Sequence, residues 1–181
     1  LFGAYFLPVL LIQCLFDSIT CLMIMVLGRR VFPTNSWLFG FLAAVWPNLI
    51  IHSAMLLTDT LFIFFFTTFL LSFVWLLEKQ KMSYALMVGI MLGLATMTRP
   101  VTQFFILLTP VLVPIMLICA KARLRDALLQ SIIISLVSLS FLSPLLLNNI
   151  QTHGSYALTS QNGAHLQNWV AAEIVMLRDR T

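Results

Sequence analysis

Long apolar stretches, separated by short polar junctions, fill most of this chain and restrict the folds open to it. A helix needs about 20 residues to cross the roughly 30 Å hydrocarbon core of a bilayer, and each stretch comes close to that length. The period-two alternation of membrane strands does not occur in them. The sequence therefore predicts an all-α, polytopic transmembrane helical bundle of about six helices. They are expected at 2–28, 36–55, 59–77, 82–98, 101–120 and 126–147, with a polar tail over 148–181.

Composition excludes a soluble protein. Hydrophobic residues make up 61% of the 181 positions and charged residues only 9%, whereas soluble domains carry about a quarter charged residues. The three cysteines lie apart within apolar stretches, which argues against both a metal site and a disulfide framework. The ten basic residues lie mainly at junctions and form no nucleic-acid-binding motif, so we expect membrane lipids as partners and no nucleic acid.

The basic residues also predict an orientation. Seven of them fall at alternate junctions, and the positive-inside rule places these in the cytoplasm. They are Arg29, Arg30, Lys79, Lys81, Lys121, Arg123 and Arg125. The turn at 53–60, the Arg99-Pro100 junction and the polar tail are then expected on the extracytoplasmic side.

Asp59 is the first candidate for a functional residue, because its short junction holds a carboxylate at the outer membrane boundary. Two interpretations remain open. In the first, Thr58 or Asp59 merely satisfies free amides at a helix start. In the second, the carboxylate helps to hold a metal ion or orients a substrate at the mouth of a cavity.

Arg99 is the one cation in the short junctions predicted to face outward. It could interact with the helix dipole at the end of its segment, or extend toward lipid headgroups. Because it shares its predicted side with Asp59, it could also bind a phosphate through its forked guanidinium. A lipid phosphate is the natural anion at that depth.

Other polar residues carry weaker signals. Asp17 lies within the first apolar stretch, four residues after Gln13, so the pair shares one helix face. A charge there must face protein or water, which is consistent with interhelical hydrogen bonding or with an ion site. His52 near the outer end of the second stretch, and Asn162 and His165 in the tail, are candidate substrate contacts.

Several stretches together resemble the polytopic GT-C glycosyltransferases of the dolichyl-phosphate-mannose protein mannosyltransferase type, including bacterial aminoarabinose-transferase-like members. The resemblance lies in their order along the chain and their topological placement. The stretches are 15–21 with 27–32, 43–47 with 57–62, the Gly-spaced 89–100, and Asn148-Asn149 with Gly154-Ser155 and 159–163.

This resemblance implies an inverting hexosyl- or pentosyltransferase that takes its sugar from a polyprenyl-phosphate-linked donor. It implies a catalytic aspartate in a first extracytoplasmic loop, which would precede Leu1. Because 169–181 also looks like the start of a further element, we expect a fragment of a longer enzyme, inactive by itself. Asp59 corresponds to a second acidic position linked to metal or donor phosphate, and Arg99 to a recurrent Arg-Pro. Asn148-Asn149 departs from the more usual Arg-Asn, which weakens the case for a further phosphate contact there.

The same resemblance implies a sugar acceptor that is a lipid, a glycan or a protein. It also implies a multi-pass location, in a bacterial inner or plasma membrane or in the ER membrane of a eukaryote. A divalent metal ion at Asp59 is the one cofactor that it suggests. Two other functions remain open from the residues alone: a transporter or lipid flippase that uses Asp17, and a non-catalytic membrane scaffold.

Overall fold

The computed structural model describes residues 6–54 and 58–154, and within these ranges the chain is helical without any strand. The predicted all-α polytopic bundle is confirmed. A 3-10 helix, Pro100–Thr102, joins the fifth and sixth α-helices. The α-helices are α1 (Phe6–Val31), α2 (Ser36–Val45), α3 (Pro47–Ala54), α4 (Asp59–Lys79), α5 (Met82–Thr98), α6 (Gln103–Cys119) and α7 (Leu124–His153).

Four segments of the described chain are long and apolar enough to cross a membrane. They are Leu7–Arg30, Asp59–Lys79, Pro100–Cys119 and Leu124–Thr152. Helix α5 has 17 residues, or about 25 Å at 1.5 Å per residue, which is slightly short of a hydrocarbon core. Large hydrophobic side chains are exposed on α1, α2, α6 and α7, as expected where a helix surface contacts lipid rather than water.

The predicted second segment, 36–55, is two helices rather than one. Helix α2 ends at Val45, and Trp46 adopts an extended backbone with ψ of 116°. Because a proline clashes with a helical residue before it, Trp46 is displaced from the helical region. Pro47 then occupies the first position of α3, where its missing N–H costs nothing. The segment predicted as one span is therefore interrupted completely between Val45 and Pro47.

The predicted last segment, 126–147, also differs at its ends. Helix α7 begins at Leu124 and continues to His153, so the first residues of the predicted polar tail, Asn148 and Asn149 among them, are helical. Contacts divide the chain into two units, Leu1–Leu142 and Ser143–Thr181. In the second unit, the described part is the end of α7 and Gly154.

One end of the first unit carries the seven basic residues that were predicted to share a side. Arg30 at the end of α1 forms an ion pair with Glu78 at the end of α4. The Gln80 side chain, at the α4–α5 turn, donates a hydrogen bond of 2.8 Å to the Ala120 carbonyl after α6. Gln130 of α7 donates to the Gln80 carbonyl, also at 2.8 Å. This end is called the basic end below.

Small residues bring α5 and α7 into close contact. A Cβ atom added at Gly89 would lie 2.9 Å from Val137, and one added at Gly93 would lie 2.9 Å from Phe141. The buried Ser138 hydroxyl lies 3.1 Å from the Gly89 carbonyl oxygen. Two glycines four residues apart thus form a smooth face against which α7 packs, as small residues do in membrane helix pairs.

We expect Gly89→Val to lower the thermal stability of the purified protein by about 1–3 kcal/mol, because a well-packed interface cannot accept the added volume. Valine is no worse a helix former than glycine, so a loss cannot come from local propensity. Melting in detergent measures the effect, and Leu86→Val on the exposed side of α5 is the matched control. Equal melting temperatures for wild type and Gly89→Val would contradict this packing.

Candidate functional site

Three helix ends meet at the end of the first unit opposite the basic end. The last turn of α3 carries His52, α4 begins at Asp59, and α5 ends just before Arg99. Because α4 and α5 are antiparallel and joined by a tight turn, the start of one lies beside the end of the other. The structure therefore brings together His52, Asp59 and Arg99, three of the residues singled out from the sequence.

The Asp59 carboxylate is the centre of this group. One of its oxygens, Oδ1, forms an ion pair with Nη2 of Arg99. The other, Oδ2, lies 3.4 Å from Nδ1 of His52. Asp59 is the first residue of α4, where the helix dipole favours a negative charge, whereas Thr58 before it makes no capping hydrogen bond through its side chain. The carboxylate thus contacts two side chains, Arg99 and His52, in addition to its favourable position at the helix N-terminus.

Arg99 is placed by the proline that follows it. Its backbone is extended, with φ of −140° and ψ of 113°, because Pro100 disfavours a helical conformation at the preceding residue. Its amide still donates to the Ala95 carbonyl at 2.9 Å. The hydroxyl of the buried Thr102 lies 3.0 Å from the Arg99 carbonyl oxygen. The backbone of Arg99 is therefore fixed on both sides while its side chain reaches Asp59.

Phe62 forms a second contact with the guanidinium. The Arg99 Cζ atom lies 5.7 Å from the centroid of the Phe62 ring, within the range of a cation–π interaction. Phe62 is not among the candidate residues predicted from the sequence. Its position three residues after Asp59 was the available signal, because residues at that spacing lie on one face of a helix.

Exposure rises steadily across the group, from 14% for the Asp59 side chain to 31% for His52 and 50% for Arg99. The carboxylate therefore lies on the protein side and the guanidinium on the open side. An arginine carries five N–H donors in a planar fork, and Asp59 engages only one edge of it. The remaining donors suit a tetrahedral oxyanion such as a phosphate.

The divalent metal ion suggested at Asp59 stays a prediction. The guanidinium already occupies one oxygen of Asp59 and supplies the positive charge that a metal ion would bring. Within 6–54 and 58–154, no group of three or more His, Cys, Asp or Glu side chains is placed to hold a metal. A zinc site needs three or four protein ligands, more than His52 and Asp59 offer, whereas magnesium can be held by one or two carboxylates together with substrate phosphates.

Comparison with known families assigns the chain. The family model described as dolichyl-phosphate-mannose-protein mannosyltransferase matches residues 1–147. The chain belongs to this family. No curated protein and no solved structure matches it.

Membership in the dolichyl-phosphate-mannose-protein mannosyltransferase family has two direct consequences. Together with the four long apolar segments, it makes the chain a multi-pass integral membrane protein. It also makes the general activity that of a membrane glycosyltransferase, in a family that generally uses sugar donors linked to polyprenyl phosphate. The matched residues include His52, Asp59, Phe62 and Arg99.

The remaining candidate residues of this mannosyltransferase-family chain are Asn162, His165 and Asp17. Asn162 and His165 lie outside the described residues. Asp17 is half-buried on α1, on the same face as the buried Gln13, and it forms no ion pair within 4 Å to another side chain of the described part. Asp17, on which the transporter hypothesis depended, therefore forms no ion pair with His52, Asp59 or Arg99.

Proposed function

We propose that this chain supplies the donor-phosphate site of an inverting glycosyltransferase. The enzyme moves a sugar from a polyprenyl-phosphate donor to an acceptor hydroxyl on the extracytoplasmic side. The observation that carries the proposal is the Asp59–Arg99 pair, which lies opposite the basic end and leaves half of the Arg99 side chain exposed. By the positive-inside rule, the basic end is cytoplasmic, so Arg99 faces outward.

The reaction needs positive charge at the leaving group. The bond between the sugar C1 and a phosphate oxygen breaks while an acceptor oxygen bonds to C1 from the opposite face. The electron pair of the broken bond goes to the phosphate, and the acceptor proton goes to a general base. Fixed donors aimed at the developing charge lower the barrier, and this is the role of Arg99. No described residue is assigned to this base.

Asp59 acts through Arg99 in this scheme. A free arginine side chain has many rotamers, and holding one of them has an entropic cost of up to about 2 kcal/mol. The Asp59 carboxylate on one edge and the Phe62 ring on a face restrict the guanidinium before the donor arrives. Such restriction in advance is what makes fixed donors effective.

An apolar cavity supports a lipid-linked donor. It has a volume of about 160 Å³ and lies among α4, α5, α6 and α7. Apolar cavities of about 150 Å³ stay dry and bind benzene-sized molecules, so this one would hold roughly one isoprene unit. The residues that line it include Phe69, Phe73, Val88, Phe105, Val113 and Ile134.

Depth also fits such a donor. Phe69 follows Asp59 by ten residues of α4, which is about 15 Å along the helix. A donor whose phosphate lies at Arg99 would therefore place its chain at the level of this cavity, within the hydrocarbon region. The headgroup remains at the boundary, where a water-soluble acceptor can reach it.

Donor choice tests this function. We expect the full-length protein, purified into lipid nanodiscs, to transfer hexose or pentose from polyprenyl-phosphate sugars and to leave nucleotide sugars unused. The anomeric configuration of the product, read by NMR, should be opposite to that of the donor. Transfer from a nucleotide sugar, or retention of configuration, would contradict the proposal. Lipid or ion flux without any transfer would favour the transporter hypothesis instead.

A further inference from the structure

We propose that His52 is a positioning residue that holds the Asp59 carboxylate so that Asp59 can hold Arg99. This inference rests on the proposed function and adds to it a residue that acts two contacts away from the donor. Arg99 takes Oδ1 of Asp59, and Nδ1 of His52 lies 3.4 Å from Oδ2. The two oxygens of one carboxylate thus have two different partners, one on α3 and one just after the end of α5.

The burial of Nδ1 points to this role rather than to substrate contact. Nδ1 of His52 is enclosed and has no hydrogen-bond partner within bonding geometry in the described chain. A buried polar nitrogen without a partner is costly, and Asp59 Oδ2 is an acceptor that lies beside it. The distance of 3.4 Å is long for an N–H donor, and such contacts commonly shorten when a substrate is bound. We therefore infer that Nδ1 holds the Asp59 carboxylate in place.

The backbone of His52 is tied to the same turn that carries Asp59. The hydroxyl of Thr60, which is almost fully buried, donates a hydrogen bond of 3.0 Å to the His52 carbonyl. The bond connects the last turn of α3 to the first turn of α4. The break at Trp46 starts α3 as a separate short helix, so the Thr60 contact and the packing of α3 against α1 and α2 together orient His52.

Three substitutions separate a positioning role from a general structural role. An asparagine places its amide nitrogen near the position of Nδ1, whereas glutamine reaches toward the position of Nε2 and alanine removes both. We expect His52→Asn to keep transfer within about threefold of wild type. We expect His52→Gln and His52→Ala to lower kcat about tenfold, with the donor KM unchanged (tenfold corresponds to 1.4 kcal/mol). The matched control is Asn48→Ala, an exposed residue one turn earlier on α3.

A second background shows whether His52 acts through Asp59. In Asp59→Asn protein, His52→Ala should cause no further loss of kcat, because the group that it positions is already changed. A further tenfold loss in that background would overturn the proposal, and so would His52→Gln retaining activity that His52→Asn loses.

A stability measurement tests the same contact without relying on catalysis. The melting-temperature shift of the Asp59→Asn, Arg99→Ala double variant is compared with the sum of the shifts of the two single variants. We expect the difference between them to become smaller when His52 is replaced by alanine. If wild-type protein transfers no sugar from polyprenyl-phosphate donors, the proposed function fails while this measurement still decides the role of His52. If this difference is the same with histidine and with alanine at position 52, the positioning role of His52 is overturned.

Discussion

Arg99→Ala is expected to lower kcat/KM for a polyprenyl-phosphate sugar by about 100- to 1,000-fold, the range seen when one donor to a developing oxyanion is removed. Half of the Arg99 side chain is exposed, so it is accessible to a donor phosphate. Alanine removes the positive charge of the guanidinium that would stabilise the departing phosphate. Steady-state transfer assays on purified full-length protein measure the change.

Arg99→Lys distinguishes charge from shape. A lysine keeps the positive charge but loses the planar fork and the stacking on Phe62, so we expect activity between those of wild type and Arg99→Ala. Lys81→Ala, an exposed cation at the basic end, controls for loss of charge alone and should transfer at the wild-type rate. Wild-type turnover by folded Arg99→Ala would remove Arg99 from the mechanism.

Asp59→Asn is expected to lower kcat about tenfold without raising the donor KM. Two effects of this change oppose each other. Removing a negative charge beside the phosphate site favours binding of the anionic donor, whereas losing the ion pair leaves the guanidinium poorly oriented for the transition state. Hydrogen bonds to charged groups contribute about 1.5–3 kcal/mol, and the exposure of Arg99 reduces that value, which gives the tenfold estimate.

A double substitution separates this explanation from an independent catalytic role for Asp59. If Asp59 acts only through Arg99, the Asp59→Asn, Arg99→Ala double variant should be no slower than Arg99→Ala. Residues that act on the substrate separately would instead give losses that multiply. A multiplied loss would show that Asp59 contacts the reacting groups itself.

The common location of Asp59 and Arg99 on one side was predictable from the sequence, because the basic residues at alternate junctions indicate which helix ends share a side. Their direct contact was not. It depends on the tight α4–α5 turn and on the backbone angle that Pro100 imposes on Arg99. The contact of His52 with Asp59 could not be predicted either, since it requires the α3–α4 connection to place two helix ends together.

Helix breaks were harder to predict than helices. The stretch 36–55 has the length and hydropathy of a single span, and a proline in a membrane helix often causes only a kink. The backbone at Trp46 decides the outcome. The contact of Phe62 with Arg99 was missed because a phenylalanine among other phenylalanines gives no compositional signal. The predicted substrate contacts of Asn162 and His165 lie outside the described residues and stay predictions.

Binding of polyprenyl monophosphate to purified full-length protein in nanodiscs tests most directly whether Arg99 recognises the donor phosphate. We expect Arg99→Ala to weaken this binding by about 10- to 100-fold, in line with the loss of charge-assisted hydrogen bonds. The same variant should bind polyprenol, which lacks the phosphate, as wild type does. Equal affinity of wild type and Arg99→Ala for polyprenyl monophosphate would contradict the assignment of the phosphate site to Arg99.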